Sequence, residues 1–251
     1  QWKANGGTTS TNSDGDINST VQADTTAGFS IVQYNPSNTT ARSIGHGLGV
    51  QPQVVIVRAR DRAENWRVFH RSAGTTGALT LDDTSAYNSN TVLFAADSTS
   101  TVFKVGTDFS VNGAYNYIAY CFAEVQGYSK FGKYVGTGGT GVTSPFIYTG
   151  FKPAFILLKK SSDSGDNWML YDHKRPGYNT TNKTYSPNST GAEYTNANAN
   201  LDILSNGFKI ETTFGAVNQN THTYIYMAFA EHPFVTSDDG GSIPATSRAL
   251  G

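Results

Sequence analysis

Two stretches of the sequence decide the fold, Tyr117-Ile-Ala-Tyr-Cys-Phe-Ala-Glu124 and Tyr224-Ile-Tyr-Met-Ala-Phe-Ala-Glu231, because they match at an offset of 107 residues. Both stretches are of strand length and are rich in aromatic and β-branched or other apolar residues. The near absence of polar residues predicts that each runs through the middle of a sheet, with little water on either face.

Matches in the same order upstream indicate that a whole unit is duplicated. Pro52-Gln-Val-Val-Ile-Val-Arg58 corresponds to Pro153-Ala-Phe-Ile-Leu-Leu-Lys159, and Asn65-Trp66 corresponds to Asn167-Trp168, at offsets of 101 and 102. Offsets that drift by a few residues are typical of loops that differ in length between equivalent strands. The sequence therefore predicts an all-β protein of two tandem β-sandwich modules, jelly-roll or lectin-like, of about 100 residues each.

The predicted domain boundaries follow from this duplication and from the composition of the ends. The opening residues resemble the end of a terminal strand, which suggests a further repeat upstream, and Thr8 to Thr26 have the polar composition of a linker. The predicted divisions are 1–26 for the linker and the end of an upstream repeat, 27–128 and 129–235 for the two sandwiches, and 236–251 for a polar tail.

Strand-length segments rich in β-branched and aromatic residues alternate with turn-forming clusters in the first copy. Asn112-Gly113 is a dipeptide typical of a tight hairpin turn. The predicted strands are Phe29–Tyr34, Val54–Arg58, Trp66–His70, Ala78–Leu81, Val102–Val105 and Tyr115–Glu124.

Composition excludes several classes of protein. Eighteen Lys and Arg against 19 Asp and Glu give a net charge of −1, so we expect no nucleic-acid partner. Apolar runs are far shorter than the 18 or more residues of a membrane span, so we expect no membrane insertion. The single cysteine, Cys121, excludes an intramolecular disulfide and a cysteine-based zinc site.

Catalytic patterns are missing from the sequence. Glycoside hydrolysis needs two carboxylates about the scissile bond, but Glu124 and Glu231 occupy equivalent strand ends, which favours a structural role as hydrogen-bond acceptors. Asp82-Asp83 and Asp202 are not singled out by any spacing. His46 lies in a glycine-rich turn, predicted to be flexible, and the five histidines form no metal-binding or triad pattern. We therefore predict a protein that is not an enzyme and has no cofactor.

Two acidic pairs offer an alternative as calcium ligands. Asp14-Gly-Asp16 and Asp163-Ser-Gly-Asp166 place carboxylates two or three residues apart, without the further acidic ligands of a specific calcium loop. Asx-type turns explain both pairs more simply, so no metal site is predicted.

Aromatic and arginine residues in loops are the candidates for ligand binding. The matched Trp66 and Trp168 suggest a core anchor in each sandwich, with sugar stacking as the alternative. The loop from Arg58 to Glu64 carries several arginines that could contact an anionic glycan or a neighbouring subunit. Tyrosines among Asn, Ser and Thr have the composition of adaptable recognition loops. The candidate residues are Arg60, Arg62, Tyr178, Tyr185 and Tyr194.

Several phrases resemble a repeated β-rich module of structural proteins in tailed, often marine, bacteriophages. They are Trp2-Lys-Ala-Asn-Gly-Gly7, Asp14-Gly-Asp-Ile-Asn-Ser-Thr-Val21, Ala27-Gly-Phe-Ser-Ile-Val32, Gly45-His-Gly-Leu-Gly49, Tyr117-Ile-Ala-Tyr-Cys-Phe-Ala-Glu124 and Met227-Ala-Phe-Ala-Glu-His-Pro-Phe234. The resemblance spans nearly the whole chain and supplies no catalytic motif.

This resemblance implies a non-enzymatic virion protein at the particle surface, part of a tail fibre or similar appendage that attaches to the host. The implied partners are other virion proteins, further copies of the chain in a homo-oligomer, and a glycan or receptor of the host surface. A capsid decoration or cement protein and a glycan-degrading tailspike enzyme are the alternatives.

Overall fold

The computed structural model describes residues 2–36, 40–175, 179–195 and 198–231. These residues form antiparallel β-sheets, and helical structure within them is limited to the 3-10 turn Gly141–Thr143 and the helix α1, Gly215–Asn218. The all-β prediction is therefore confirmed. The predicted polar tail 236–251 lies outside the described residues.

Ten strands precede residue 125. They are β1 (Ser10–Asn12), β2 (Ser19–Asp24), β3 (Phe29–Tyr34), β4 (Arg42–Gly45), β5 (Val54–Ala59), β6 (Arg67–His70), β7 (Leu79–Thr80), β8 (Phe94–Ala96), β9 (Val102–Val105) and β10 (Tyr117–Phe122). All six strands predicted for the first copy are present, with ends that differ by up to two residues.

Nine strands follow. They are β11 (Ser129–Val135), β12 (Phe146–Tyr148), β13 (Pro153–Lys160), β14 (Met169–Asp172), β15 (Lys183–Thr184), β16 (Tyr194–Thr195), β17 (Leu201–Leu204), β18 (Gly207–Ile210) and β19 (Thr223–Ala230).

Each half of the chain contributes one main sheet and one outer sheet. The main sheet of the first half has the order β1-β2-β3-β10-β5-β6-β7, and its outer sheet has the order β4-β9-β8. The main sheet of the second half has the order β11-β19-β13-β14, and its outer sheet has the order β12-β18-β17. Strands β15 and β16 form a separate two-stranded sheet.

Three apolar cores hold these four sheets together as layers. In each half, one core lies between the main sheet and the outer sheet. The third core lies between the two main sheets and joins the halves, with Phe122 and Val54 from the first half packed with Phe229 and Leu157 from the second. Both faces of each main sheet are therefore covered at its centre.

Strands β10 and β19 lie in the middle of their sheets and supply alternate residues to two cores. In β10, Ala119 and Cys121 face the outer sheet, and Phe122 faces the second half. In β19, Tyr224 faces its outer sheet and Ile225 faces the first half. This confirms for β19 the expectation of little water on either side. In β10 the expectation holds only in part, because Ile118 and Tyr120 are half-buried.

Matching tyrosine pairs occur in the two halves. Tyr34 and Tyr117 stack with ring centroids 5.1 Å apart, and Tyr134 and Tyr224 stack at 5.0 Å. The Tyr34 hydroxyl donates to the carbonyl of Val111 at 2.8 Å, and the Tyr134 hydroxyl donates to the carbonyl of Val217 at 2.7 Å. These hydroxyls leave water without losing a hydrogen-bond partner, as buried tyrosines require.

A buried asparagine is repeated beside each tyrosine pair. Asn112 Nδ2 donates to the carbonyls of Thr40 and Gly106, and Asn218 Nδ2 donates to those of Gly139 and Thr212. The predicted hairpin at Asn112-Gly113 is wrong, because the preceding β9 belongs to the outer sheet and the following β10 to the main sheet. Asn112 instead bonds backbone groups of the chain where it crosses between layers.

The predicted linker at Thr8 to Thr26 is also wrong over much of its length. Ser10–Asn12 and Ser19–Asp24 are the strands β1 and β2, and β2 pairs with the whole of β3. Ser19 is buried and its hydroxyl donates to the carbonyl of Gly45 at 2.8 Å. Backbone pairing to an existing sheet edge compensates for the polar composition that suggested a linker.

We expect Asn112→Ala to lower the free energy of unfolding by about 2 kcal/mol and Asn218→Ala by about 3 kcal/mol. The second loss is larger because Asn218 Oδ1 also accepts from the Thr137 amide at 2.8 Å, whereas Asn112 Oδ1 has no partner. Urea unfolding measures both values. The exposed Asn220 is the matched control, and equal stability of Asn218→Ala and Asn220→Ala would contradict the role of the buried amide.

Candidate functional site

An open recess of about 740 Å³ lies on the first half, at the end of β5 and the start of β10. Its walls are the loop 58–63, which contains the predicted residues Arg60 and Arg62, together with Trp66, Ile118 and Tyr120. The recess lies on the same face of the main sheet as the core between the halves, beyond the part that the second half covers.

Three side chains form a stacked column in this recess. The Arg58 guanidinium lies over the Trp66 ring at 5.2 Å from its centroid, and the Trp66 and Tyr120 rings stack at 6.3 Å. Asp82 holds this column from outside, because its carboxylate accepts from the Trp66 amide at 3.1 Å and lies 3.8 Å from Arg58. Cation–π contact and stacking order these groups before any ligand binds.

The two predicted arginines have different surroundings. Arg62 donates to the Tyr115 hydroxyl at 2.6 Å, pairs with Glu64 at 2.6 Å and lies over the Phe109 and Tyr115 rings. The Tyr115 hydrogen bond raises the pKa of Arg62 above its usual value. Arg60 is exposed and is anchored through its backbone, whose amide donates to the Asn116 carbonyl at 2.7 Å. Arg62 thus has a structural role, whereas Arg60 is available to a partner.

Two of the predicted tyrosines, Tyr185 and Tyr194, do not line the recess. Tyr185 lies on the second half, where its backbone bonds to Leu170 and its ring lies under Arg175 at 5.9 Å. Tyr194 is 39% exposed on β16 and its hydroxyl is 4.0 Å from the Met169 sulfur. Tyr178 lies outside the described residues.

The two matched tryptophans differ, contrary to the prediction that both anchor their own sandwich. Trp168 is fully buried in the core between the halves, and its indole Nε1 donates to the Thr80 carbonyl of the first half at 2.8 Å. Trp66 is half-buried in the recess. Sequence cannot separate the two cases, because the cover over Trp168 comes from a segment 88 residues away.

The structure also exposes an aromatic patch on β12 that sequence reasoning missed. Phe146 and Tyr148 alternate with the buried Ile147 and are 46% and 64% exposed, and Val142 in the preceding turn is also exposed. Strand β12 lies at the edge of its sheet and pairs only with β18 among the described strands. Exposed apolar groups at a sheet edge mark an interaction surface. The alternation of aromatic and aliphatic residues in Phe146-Ile147-Tyr148 was the sequence signal that could have identified this patch.

The two glutamates considered for catalysis, Glu124 and Glu231, are engaged in structural contacts. Glu124 accepts from the Phe131 amide at 2.9 Å and from Lys130 Nζ at 3.0 Å, as expected for a strand-end acceptor. Glu231 instead pairs with side chains, Lys174 at 2.6 Å and His173 at 2.9 Å. The hydrogen bond from Lys174 lowers the pKa of Glu231.

The acidic pairs considered for calcium form local turns and ion pairs. The Asp14 amide donates to Asn12 Oδ1 at 3.0 Å, and Asp16 accepts from the Ser43 amide at 2.8 Å. Asp163 and Asp166 both pair with the buried Lys160. Within the described part of the chain, no group of three or more His, Cys, Asp or Glu residues is arranged to hold a metal ion.

Two of the histidines that the structure describes are buried, and the burial of His46 corrects the prediction that it lies in a flexible turn. His46 Nδ1 accepts from the Leu48 amide at 3.2 Å, so its Nε2–H donates to the Thr99 carbonyl at 3.2 Å. His70 Nε2 lies 3.1 Å from the Tyr226 carbonyl of the second half, and its Nδ1 has no partner. Desolvation lowers the pKa of His46, and it lowers that of His70 to about 4.

We expect burial of neutral His70 to make the contact between the halves sensitive to acid. The unfolded chain takes up a proton near the usual histidine pKa of 6.5, and the folded chain does so only near 4. The contribution of neutral His70 to the free energy of unfolding is therefore fully present above about pH 6.5 and is lost as the pH falls toward 4. Between pH 7 and pH 5 the loss is about 2 kcal/mol.

Urea unfolding of the wild type and of His70→Gln at both pH values measures this effect. Glutamine retains a donor for the Tyr226 carbonyl and cannot titrate. Between pH 7 and pH 5 the free energy of unfolding of His70→Gln should therefore fall by about 2 kcal/mol less than that of the wild type. His46 is present in both proteins and cancels in the comparison. An identical fall in both proteins would contradict the assignment.

We expect Trp168→Ala to lower the free energy of unfolding by about 3–5 kcal/mol, because it empties a fully buried site and leaves the Thr80 carbonyl without its donor. Trp66→Ala removes the same side chain from a half-exposed site and should cost about 1 kcal/mol. Urea unfolding of the two variants, side by side, measures the difference. Equal losses would contradict the different burial of the matched tryptophans.

No helix among the described residues has the length and apolar character needed to cross a membrane. A search of curated proteins and a search of solved structures each find no match to this chain. A family model described as a domain of unknown function, DUF7483, matches residues 1–233. Because this match spans nearly the whole chain, the chain belongs to the DUF7483 family.

Proposed function

We propose that the chain is a non-enzymatic structural protein of a tailed-phage virion surface, part of a tail fibre or similar appendage that contacts the host. The exposed aromatic patch on β12 carries the proposal of contact. Phe146 and Tyr148 point outward from a strand whose other residue, Ile147, is buried, so the fold itself does not require the two rings. Aromatic faces on a rigid strand suit stacking on the sugar rings of a host glycan.

Two tandem sandwich modules, 27–128 and 129–235, are part of the same proposal. The repeated tyrosine stacks and repeated buried asparagines support the duplication. The shared core between the main sheets would make the pair of modules one rigid block without disulfides. A rigid support holds binding groups in place and lowers the entropy lost on contact.

A capsid decoration or cement protein is the second candidate, because an exposed apolar edge also suits contact with other virion proteins. A glycan-degrading tailspike is the third candidate and has less support. Near the recess, Asp82 contacts Arg58 and the Trp66 amide, and Glu64 pairs with Arg62, so these carboxylates are engaged.

Binding of the purified, fluorescently labelled chain to cells of the host bacterium tests the proposed contact. We expect saturable binding that Phe146→Ala with Tyr148→Ala weakens by about tenfold or more, the effect of removing stacking aromatics. Phe109→Ala is the matched control, because Phe109 is 54% exposed and packs under Arg62 in the other half.

Absence of binding by the unaltered chain, or equal binding by the double variant, would overturn the contact proposal. Antibody labelling of purified particles should place the chain on an appendage. Labelling distributed over the head would replace the appendage with the cement role, and release of sugar fragments from the host envelope would replace it with the enzyme.

A further inference from the structure

The recess on the first half has an equivalent surface on the second half. Five recess positions and their counterparts, at offsets of 101 to 107, are Arg58 and Lys159, Arg60 and Ser161, Trp66 and Trp168, Ile118 and Ile225, and Tyr120 and Met227. The contacts support this alignment, because the Trp66 amide donates to Asp82 Oδ1 at 3.1 Å and the Trp168 amide donates to Asn188 Oδ1 at 3.0 Å.

Burial differs at every one of these five positions. The second-half residues are at most 6% exposed, and Lys159, Trp168 and Ile225 are fully buried. In the first half, Arg60 is exposed and the other four are only partly buried. The same surface is therefore covered in one half and open in the other.

The cover over the second-half surface is the segment 79–87 of the first half. The Trp168 indole and Lys159 Nζ donate to the carbonyls of Thr80 and Thr84, at 2.8 Å and 3.2 Å. The Tyr87 amide donates to the Ser161 carbonyl at 2.9 Å. Leu79 and the half-buried Leu81 and Tyr87 add apolar contact in the shared core.

The covering segment has a counterpart of its own, residues 185–193. Each segment is flanked by a pair of residues that form a β-bridge, Ala78 with Asn88 in the first half and Thr184 with Tyr194 in the second. These two pairs are at equivalent positions, at an offset of 106. On the second half Thr190 and Glu193 are exposed, and no residue of 185–193 lines the recess. The chain thus makes this contact once internally and leaves one open surface that the equivalent segment 185–193 does not cover.

We propose that the recess of Arg58, Trp66 and Tyr120 binds segment 185–193 of a second copy of this chain. The internal contact serves as the template: the Arg58 guanidinium takes the place of Lys159 and donates to the carbonyl of the exposed Thr190. Tyr185 and Pro187 take the positions of Leu79 and Leu81. Tryptophan, tyrosine and arginine are the residues that most often dominate protein interfaces.

The two surfaces differ, so the contact is head-to-tail. Each copy has the open recess on its first half and segment 185–193 on its second half, and association continues into a ring or an open chain. The proposal rests on the duplication and does not depend on the virion role or on the β12 patch.

Sedimentation velocity of the purified chain over a range of concentrations tests the proposal. We expect concentration-dependent association, which Trp66→Ala in the recess and Tyr185→Ala with Pro187→Asp in the segment each weaken by about 30-fold or more. Arg58→Glu is a second recess variant that keeps the tryptophan. Val50→Ala, 50% exposed and outside the recess, the segment and the β12 patch, is the matched control and should associate like the wild type. Circular dichroism and urea unfolding identify any variant that fails to fold.

Mixing the variants decides between this interface and any other. The recess variant and the segment variant are each expected to remain monomeric alone and to form a one-to-one dimer when mixed, because each retains the surface that the other lacks. A chain that stays monomeric at all concentrations would overturn the proposal, and so would association that the variants do not change or mixed variants that do not pair. These measurements use no host cell, so their failure leaves the contact proposed for β12 untouched.

Discussion

The structure depends on the packing of the two main sheets against each other through the outward faces of their central strands. Phe122 of β10 and Phe229 of β19 meet with ring centroids 5.9 Å apart, and the Trp2 ring contacts both. Without this core each central strand would expose a row of apolar side chains to water. Burial of apolar surface is the dominant favourable term in folding, so the contact between halves stabilises both of them.

Polar groups at the layer crossings satisfy the backbone where the chain leaves one sheet for the next. The pairs Tyr34 with Asn112 and Tyr134 with Asn218 supply donors to buried carbonyls in each half. An unpaired buried carbonyl would cost about 1–3 kcal/mol. Repetition of these contacts one repeat later is physical support for an origin by duplication, beyond similarity in the two apolar strands.

Asymmetry between the halves gives the molecule its candidate binding surfaces. The same tryptophan position is covered in the second half and open in the first, because segment 79–87 reaches Trp168 whereas 185–193 does not reach Trp66. Two of the predicted ligand residues lie on these equivalent elements, Arg60 in the recess and Tyr185 in segment 185–193. The β12 patch is a separate surface that neither element includes.

The sequence by itself determined the β class and six of the ten strands that precede residue 125, because strand-length apolar segments are local properties of the chain. The repetition of these segments predicts the duplication. Tertiary structure decided the role of polar segments. Ser19–Asp24, expected to be part of a linker, forms a strand. Asn112, expected in a hairpin turn, donates to backbone carbonyls where the chain crosses between layers. It also decided which of two equivalent tryptophans is buried. Burial depends on segments distant in sequence that cover one tryptophan and not the other, so the local sequence around each tryptophan does not predict which one is buried.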